Sequence, residues 1–313
     1  MKRALDFIEK HKDEDYFLVV SFDEPHGPFL CPQPYASMYK DYEFPKSPAV
    51  YDTLEGKPIH QKIWAAQKPH PDREKFKIKN KYYFGCNSYA DSLIGKVVDA
   101  APADAAIMYT SDHGDLLGSH CLFAKGPAAY DDVARIPFIV RMPGGLEGEV
   151  YDRAPVSHIN VCPTVMEYFD LPIPKQFEGG SILRTAFDKN APADDSFLIE
   201  FGRFEVDHDN YGGLQLMRCL VKGKMKLVLN LLSDDELYDT EKDPYECKNL
   251  IGDPEYAAVR DEMHDELLER MNRNRDPFRA YYWETRPWRR DSREASWFYT
   301  GWTRQRDNAA YAP

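Results

Sequence analysis

The hexapeptide Thr110-Ser-Asp-His-Gly-Asp115 sets a carboxylate, Asp112, directly beside an imidazole, His113. Those two groups are ordinary ligands of a divalent metal. Neighbouring residues on a strand point to opposite faces, so the pair can share one ion only where the chain has begun to turn. Gly114 supplies the freedom for that turn. The same hexapeptide also suits a loop Asp that caps backbone amides beside a partly exposed His. His26 stands in a second loop, Asp23-Glu-Pro-His-Gly-Pro-Phe29. An imidazole there can give a proton to a leaving oxygen, or serve as a hydrogen-bonded structural His. Lys125 follows His113 by twelve residues, within Phe123-Ala-Lys-Gly126. Its ammonium can neutralise an oxyanion, or stay solvated.

These residues need elements to position them. Ala4 to Lys12 reads as an amphipathic helix, and Tyr16 to Phe22 as a buried strand that ends at the His26 loop. Positions 31 to 75, rich in Pro and charge, read as a long surface excursion. Lys81 to Ala100 carries apolar residues at helical spacing. Ala105 to Thr110 and Ile136 to Arg141 are further buried strands, and Asn160 can cap a helix running to Phe169. This order predicts an α/β fold with a mostly parallel sheet flanked by helices. In such sheets ligands bind beyond the carboxyl ends of strands, where Asp112 and His113 stand. The boundary is expected near a linker, giving domains 1–190 and 191–313. The second is a smaller α+β unit: strands at 197–201, 214–221 and 224–230, a Lys222-Gly223 hairpin turn, and one helix over 257–271.

The chain has 313 residues and a net charge of −12, which argues against nucleic-acid binding through the whole surface. No apolar run approaches the roughly 20 residues of a membrane helix. No apolar stretch of a signal peptide follows Met1, so a cytoplasmic location is favoured over a periplasmic one. From Arg270 onward the chain turns basic, with ten arginines against five acids and four of the five tryptophans. Such a tail can stack on single-stranded nucleic acid. The reading favoured here is a tail stapled to the acidic body by aromatic burial and Arg pairs. Six scattered cysteines form no CxxC pair, and Cys86 and Cys162 read as buried thiols on helical faces.

Further motifs accompany the candidate site: Gly118-Ser-His120, Lys125-Gly126, Arg135-Ile-Pro-Phe-Ile-Val-Arg-Met-Pro-Gly144, His158-Ile-Asn-x-x-Pro-Thr164, Lys224-Met-Lys-Leu227 and Glu236-Leu-Tyr-Asp-x-x-x-Asp-Pro244. With them the chain resembles the type I sulfatases of the alkaline-phosphatase superfamily, from about Ala4 to Arg290. Phe201-Gly-Arg-Phe-Glu205, Asp234-Asp-Glu-Leu-Tyr238 and Arg275-Asp-Pro-Phe-Arg279 resemble a bacterial branch of that family. The resemblance implies an alkaline-phosphatase-like fold and hydrolysis of a sulfate ester of a glycan or small molecule. It implies Asp112 and His113 as ligands of a divalent metal, Ca2+ with Mg2+ or Mn2+ as alternatives. Lys125 then grips the sulfate, His26 lies near the scissile oxygen, and His120 lines the pocket. Arg203 and His208, on a polar loop after the 197–201 strand, are candidates for substrate choice.

The family begins with paired Asp ligands and a Cys/Ser-x-Pro/Ala-x-Arg motif whose first residue becomes formylglycine. Neither is found here, and Cys31-Pro-Gln-Pro34 lacks the Arg. The formylglycine is therefore expected in an N-terminal segment outside this sequence, carried in a longer protein or by a complementary chain. The 313 residues alone are expected to be inactive, with a homo-oligomer as another partner. Phosphonate or phosphate ester hydrolysis, and a non-catalytic fragment, are the competing readings.

Overall fold

The computed structural model describes residues 1–67, 81–152, 154–202 and 215–289. The described chain divides into two compact units. The first takes residues 1–46, 81–109 and 139–147; the second takes 47–67, 110–138 and 148 onward, so position 190 falls inside it. No helix among the described residues is long and apolar enough to cross a membrane.

In the first unit, α1 (Lys2–His11) buries Ala4 and Ile8 and carries Lys10 and His11 in its last turn, where cations complement the helix dipole. It packs on α4 (Lys81–Ala100), whose buried positions are the small residues Gly85, Cys86 and Ala90. Small residues there let the short helix α2 (Tyr35–Met38) lie close: a Cβ on Gly85 would stand 2.4 Å from the Tyr35 carbonyl oxygen. β1 (Ile107–Thr110) and β2 (Phe138–Arg141) pair in a two-stranded sheet. The run Tyr16–Phe22 is not a strand. It alternates half-buried with exposed residues, Phe17 and Val19 being 62% and 72% exposed. A β-prone sequence extends the chain, but a strand also needs a neighbour for its hydrogen-bond ladder.

The second unit is built on an antiparallel sheet in sequence order: β3 (Ser196–Phe201), β4 (Met217–Lys222), β5 (Met225–Asn230) and β6 (Glu236–Asp239). The β4–β5 turn uses Gly223 at φ 57°, as the Lys222-Gly223 signal predicted. Side-chain alternation splits the sheet into two unlike faces. The pair Leu220–Leu227 and neighbouring Leu229 and Leu237 lie against Met263, Leu267 and Met271 of helix α7 (Ala257–Arg273). Each fully buried Leu there contributes about 1.5–3 kcal/mol. The opposite face carries Cys219 and Val228 against Ala129, and, in the same rows, Lys226, Glu236 and Tyr238. That half-polar face receives helix α3 (Ile59–Ala66), the loop from Gly114 to Tyr130, and the turn of helix α5 (Asp131–Ala134).

Helix α6 (Val161–Tyr168) is entered through a 3-10 turn, His158–Asn160, that carries a reciprocal cap: Ser157 is its cap residue, and Asn160 Oδ1 accepts from the Ser157 amide at 2.8 Å. Asn160 thus serves the cap from its far side. Cys162 proves exposed, because Pro163 and Thr164 form the inward face of α6. The basic tail is stapled as far as residue 289. Trp283 is fully buried, Arg286 makes a bidentate pair with buried Asp235 at 2.7 and 2.8 Å, and Arg260 lies 4.6 Å over Trp288. The tail beyond it lies outside the described residues.

Candidate functional site

The chain leaves β1 at Thr110 and turns at once. Gly114 lets it pass α5 in backbone contact: its amide donates to Val133 O at 2.8 Å, and a Cβ would stand 2.0 Å from Asp132 O. This turn brings Asp112 and His113 together. His113 Nε2 lies 3.4 Å from Asp112 Oδ2, and Asp112 Oδ1 accepts from the His113 amide at 2.9 Å. His113 Nδ1 donates to Gly114 O at 2.8 Å, which holds the ring with Nε2 toward the carboxylate. His158 Nε2 donates to Ser111 O at 2.7 Å and fixes the start of the turn. Burial raises the Asp112 carboxyl pKa, but the charges of His113 and Lys125 and the His113 amide outweigh it and hold it below its ordinary value.

Lys125 reaches this neighbourhood because the loop folds back on itself. Leu116 donates to Ala124 O at 2.9 Å and Gly118 to Leu122 O at 2.8 Å. The return turns through positive φ at Leu117, Gly118, His120, Cys121 and Ala124. Four of these are not glycine, so the conformation is held by packing around it.

His120 supplies that packing. Its ring is fully buried, stacks on Tyr130 at 3.7 Å, and its Nδ1 meets Asp52 Oδ2 at 2.7 Å. It faces these core groups, so any part in lining a pocket is exerted from beneath the loop. Asp52 in turn lies 3.7 Å from buried Lys57 Nζ, which donates to Tyr238 OH at 2.8 Å and to Glu246 O. Burial pulls the Lys57 ammonium pKa down against the pull of Glu236, Asp52 and Glu246. Tyr130 OH donates to Gln61 Oε1 at 2.6 Å, and Tyr238 OH to Glu236 Oε1 at 2.6 Å. Beside them Lys226 Nζ sits between Asp131 at 2.5 Å and Glu246 at 2.6 Å.

This network was missed in the sequence. Its one signal was charge out of place: Lys226 and Glu236 stand beside apolar residues in their strands.

His26 belongs to the other unit. It is exposed, with Nδ1 donating to Gly27 O at 2.8 Å, so Nε2 is its outward nitrogen. Arg203 and His208 lie outside the described residues.

An oxygen and a nitrogen donor 3.4 Å apart are spaced as neighbouring ligands of one divalent ion, with bonds of about 2.0–2.5 Å. Asp112 and His113 fit that requirement as two ligands. Among the described residues no group of three or more such side chains converges. Gly114→Ala should therefore act twice. The forced shift against Asp132 is expected to cost about 2 kcal/mol or more, and moving the Gly114 carbonyl should turn the His113 ring. Thermal melts check the first effect: a variant that melts like the parent would count against it.

Comparison with known proteins bears on this site. A family model described as Sulfatase matches residues 1–171, and one described as N-sulphoglucosamine sulphohydrolase, C-terminal, matches residues 118–273. The uncharacterized sulfatase YidJ of Escherichia coli strain K12 is 41% identical over 317 residues, covering 99% of this chain and 62% of its own length. The solved structure of BT4656 with its substrate D-glucosamine-2-N,6-O-disulfate superposes with a TM-score of 0.77 at 17% identity, covering 88% of this chain and 69% of that one. The phosphonate monoester hydrolase of Agrobacterium radiobacter does so with a TM-score of 0.69 at 24% identity, covering 87% and 60%. The fold is thus the alkaline-phosphatase-like fold expected from the motifs. The chain spans less than two thirds of the length of the curated relatives it matches. Within that span, the turn after β1, the returning loop and the capped α6 all fall inside the first match, and the chain belongs to the sulfatase family.

Proposed function

We propose that this chain is the greater part of a metal-dependent sulfuric ester hydrolase acting on a sulfated carbohydrate. The observation that carries the reading is the turn after β1, where Asp112, His113 and the charge of Lys125 act on one another in a chain of the sulfatase family. Asp112 and His113 hold a divalent ion, Ca2+ in this reading, with Mg2+ or Mn2+ as alternatives. When bound, that ion supplies positive charge beside the sulfate oxygens.

The chain's own residues do the rest. The Nδ1 bond to Gly114 O orients the His113 ring with Nε2 beside Asp112. Lys125 holds its ammonium against the sulfate group, where negative charge spreads in the transition state. An alkoxide leaves poorly, so the leaving oxygen needs a proton, and His26 Nε2 is the atom assigned to give it. Arg203 and His208 are assigned to the carbohydrate, and His120 supports the wall beneath Lys125. No residue of these 313 is assigned as nucleophile; a formylglycine is expected to supply it.

A sulfated amino sugar as substrate is supported by BT4656, whose fold this chain shares. A phosphonate ester is the second reading, supported by the likeness to the Agrobacterium enzyme. The test uses a protein spanning the full length of the YidJ relative and carrying this sequence. Sulfate release from N- or 6-O-sulfated glucosamine, faster than hydrolysis of a phosphonate monoester, is the expected result. The reverse preference would replace the first reading with the second, and turnover of neither would remove both.

A further inference from the structure

In the first unit, Cys31 stands at the end of the His26 loop and Cys86 in the first turns of α4. The two segments meet backbone to backbone. The missing side chain of Gly85 lets the Tyr35 carbonyl oxygen in to 2.4 Å from where a Cβ would stand, and Cys31 Sγ lies 3.3 Å from the same point. The approach is held on both sides. Tyr39 OH and Ser88 Oγ are 2.7 Å apart, Lys81 Nζ donates to Lys40 O at 2.9 Å, and Phe29 meets Tyr83 edge to face at 5.7 Å. Cys86 is fully buried and Cys31 is partly exposed, and both are free thiols.

We propose that Cys31 and Cys86 are a modification site, a thiol pair that a low-molecular-weight disulfide such as oxidised glutathione converts to an intramolecular disulfide. This is independent of the hydrolase reading. A disulfide needs its two Cα atoms within about 4.4–6.8 Å, and the Cys31 sulfur already lies against Gly85, the residue next to Cys86. The pairing is also seen in the thiol chemistry. Burial first, then a hydrogen bond with Cys31, pushes the Cys86 thiol up to about 12. Cys31 is therefore the entry point.

Its sulfur attacks one sulfur of the glutathione disulfide, that S–S bond breaks, and one glutathione leaves with the proton Cys31 gave up. Cys86 then attacks the Cys31 sulfur, the mixed disulfide breaks, and a second glutathione leaves with the Cys86 proton. Two protein thiols are oxidised and one small disulfide is reduced to two thiols. The link closes the chain from 31 to 86 and ties the end of the His26 loop to α4.

The experiment treats the whole chain with oxidised glutathione, blocks remaining thiols under acid, and digests it with trypsin without reductant. The expected product joins the peptide of residues 13–40 to that of residues 82–96, two hydrogens lighter than their sum. Exposed Cys162 should carry a glutathione adduct in the same sample, which shows that the oxidant acted. Cys31→Ser and Cys86→Ser should each abolish the link, and oxidation should slow chymotryptic cleavage after exposed Leu30. Glutathione retained on Cys31 with Cys86 still reduced would overturn the proposal. So would a link that forms only in denaturant.

Discussion

Lys226→Met should lower the stability of the second unit by about 3–5 kcal/mol, the cost of leaving buried charge without its partner. Lys226 is 2% exposed and holds Asp131, Glu246 and the Ala129 carbonyl together. Methionine matches its length, so the loss reads charge more than volume. Burial opposes the Lys226 ammonium, but Glu246 and Asp131 overcome it and hold its pKa above the ordinary value. Glu246 is pushed up to about 7, burial outweighing the attraction of Lys226. The stability this raised carboxyl contributes is present below its ordinary value of 4.5 and is lost as pH rises through about 7. Without Lys226 the carboxyl should titrate higher still, so the gap between variant and parent should widen above neutrality. Urea melts at pH about 6 and about 9 read this. A constant gap, or none, would show that the three groups are not coupled.

Lys125→Ala, in the full-length enzyme, should lower kcat/KM by about 2–4 kcal/mol, the loss of one preorganised charge at the sulfate. Its metal content should stay that of the parent, since an ammonium is not a ligand. Asp112→Ala should lose activity and metal together. Elemental analysis separates the two. A metal-free Lys125→Ala, or a fully active one, would mean the roles are assigned wrongly. The Asp112 carboxyl should also titrate higher once Lys125 is gone, because part of what holds it down is that charge.

The sequence made legible what depends on short range. The Lys222-Gly223 turn, the helix over 257–271, the strand before Asp112 and the Asp-His-Gly turn all follow from patterns a few residues long. The return of the chain to Lys125 turns through five positive-φ positions, four of them not glycine, so no short pattern marks it. What long-range contact decides was not readable. Tyr16–Phe22 has the composition of a strand and finds no ladder partner among the described residues. Cys162 has helical spacing but faces outward, because Pro163 and Thr164 take the inner side. His120 looked like a wall residue and lies in the core, since Asp52 and Tyr130 come from segments no local pattern joins to it.

The half-polar face of the antiparallel sheet has a consequence for synthesis. Lys57 finds its hydrogen-bond acceptors 181 and 189 residues further along, at Tyr238 OH and the Glu246 carbonyl. At roughly 5–20 residues per second a ribosome needs on the order of 10–40 s to make that stretch. For that interval Asp52, Lys57 and Gln61 belong to a core whose other half has not emerged. The loop carrying His113 and Lys125 is therefore among the last parts of the nascent chain to settle. Its order is conferred by residues that play no part in the chemistry, and a chaperone that shields residues 47–67 during that window would act on the site without touching it.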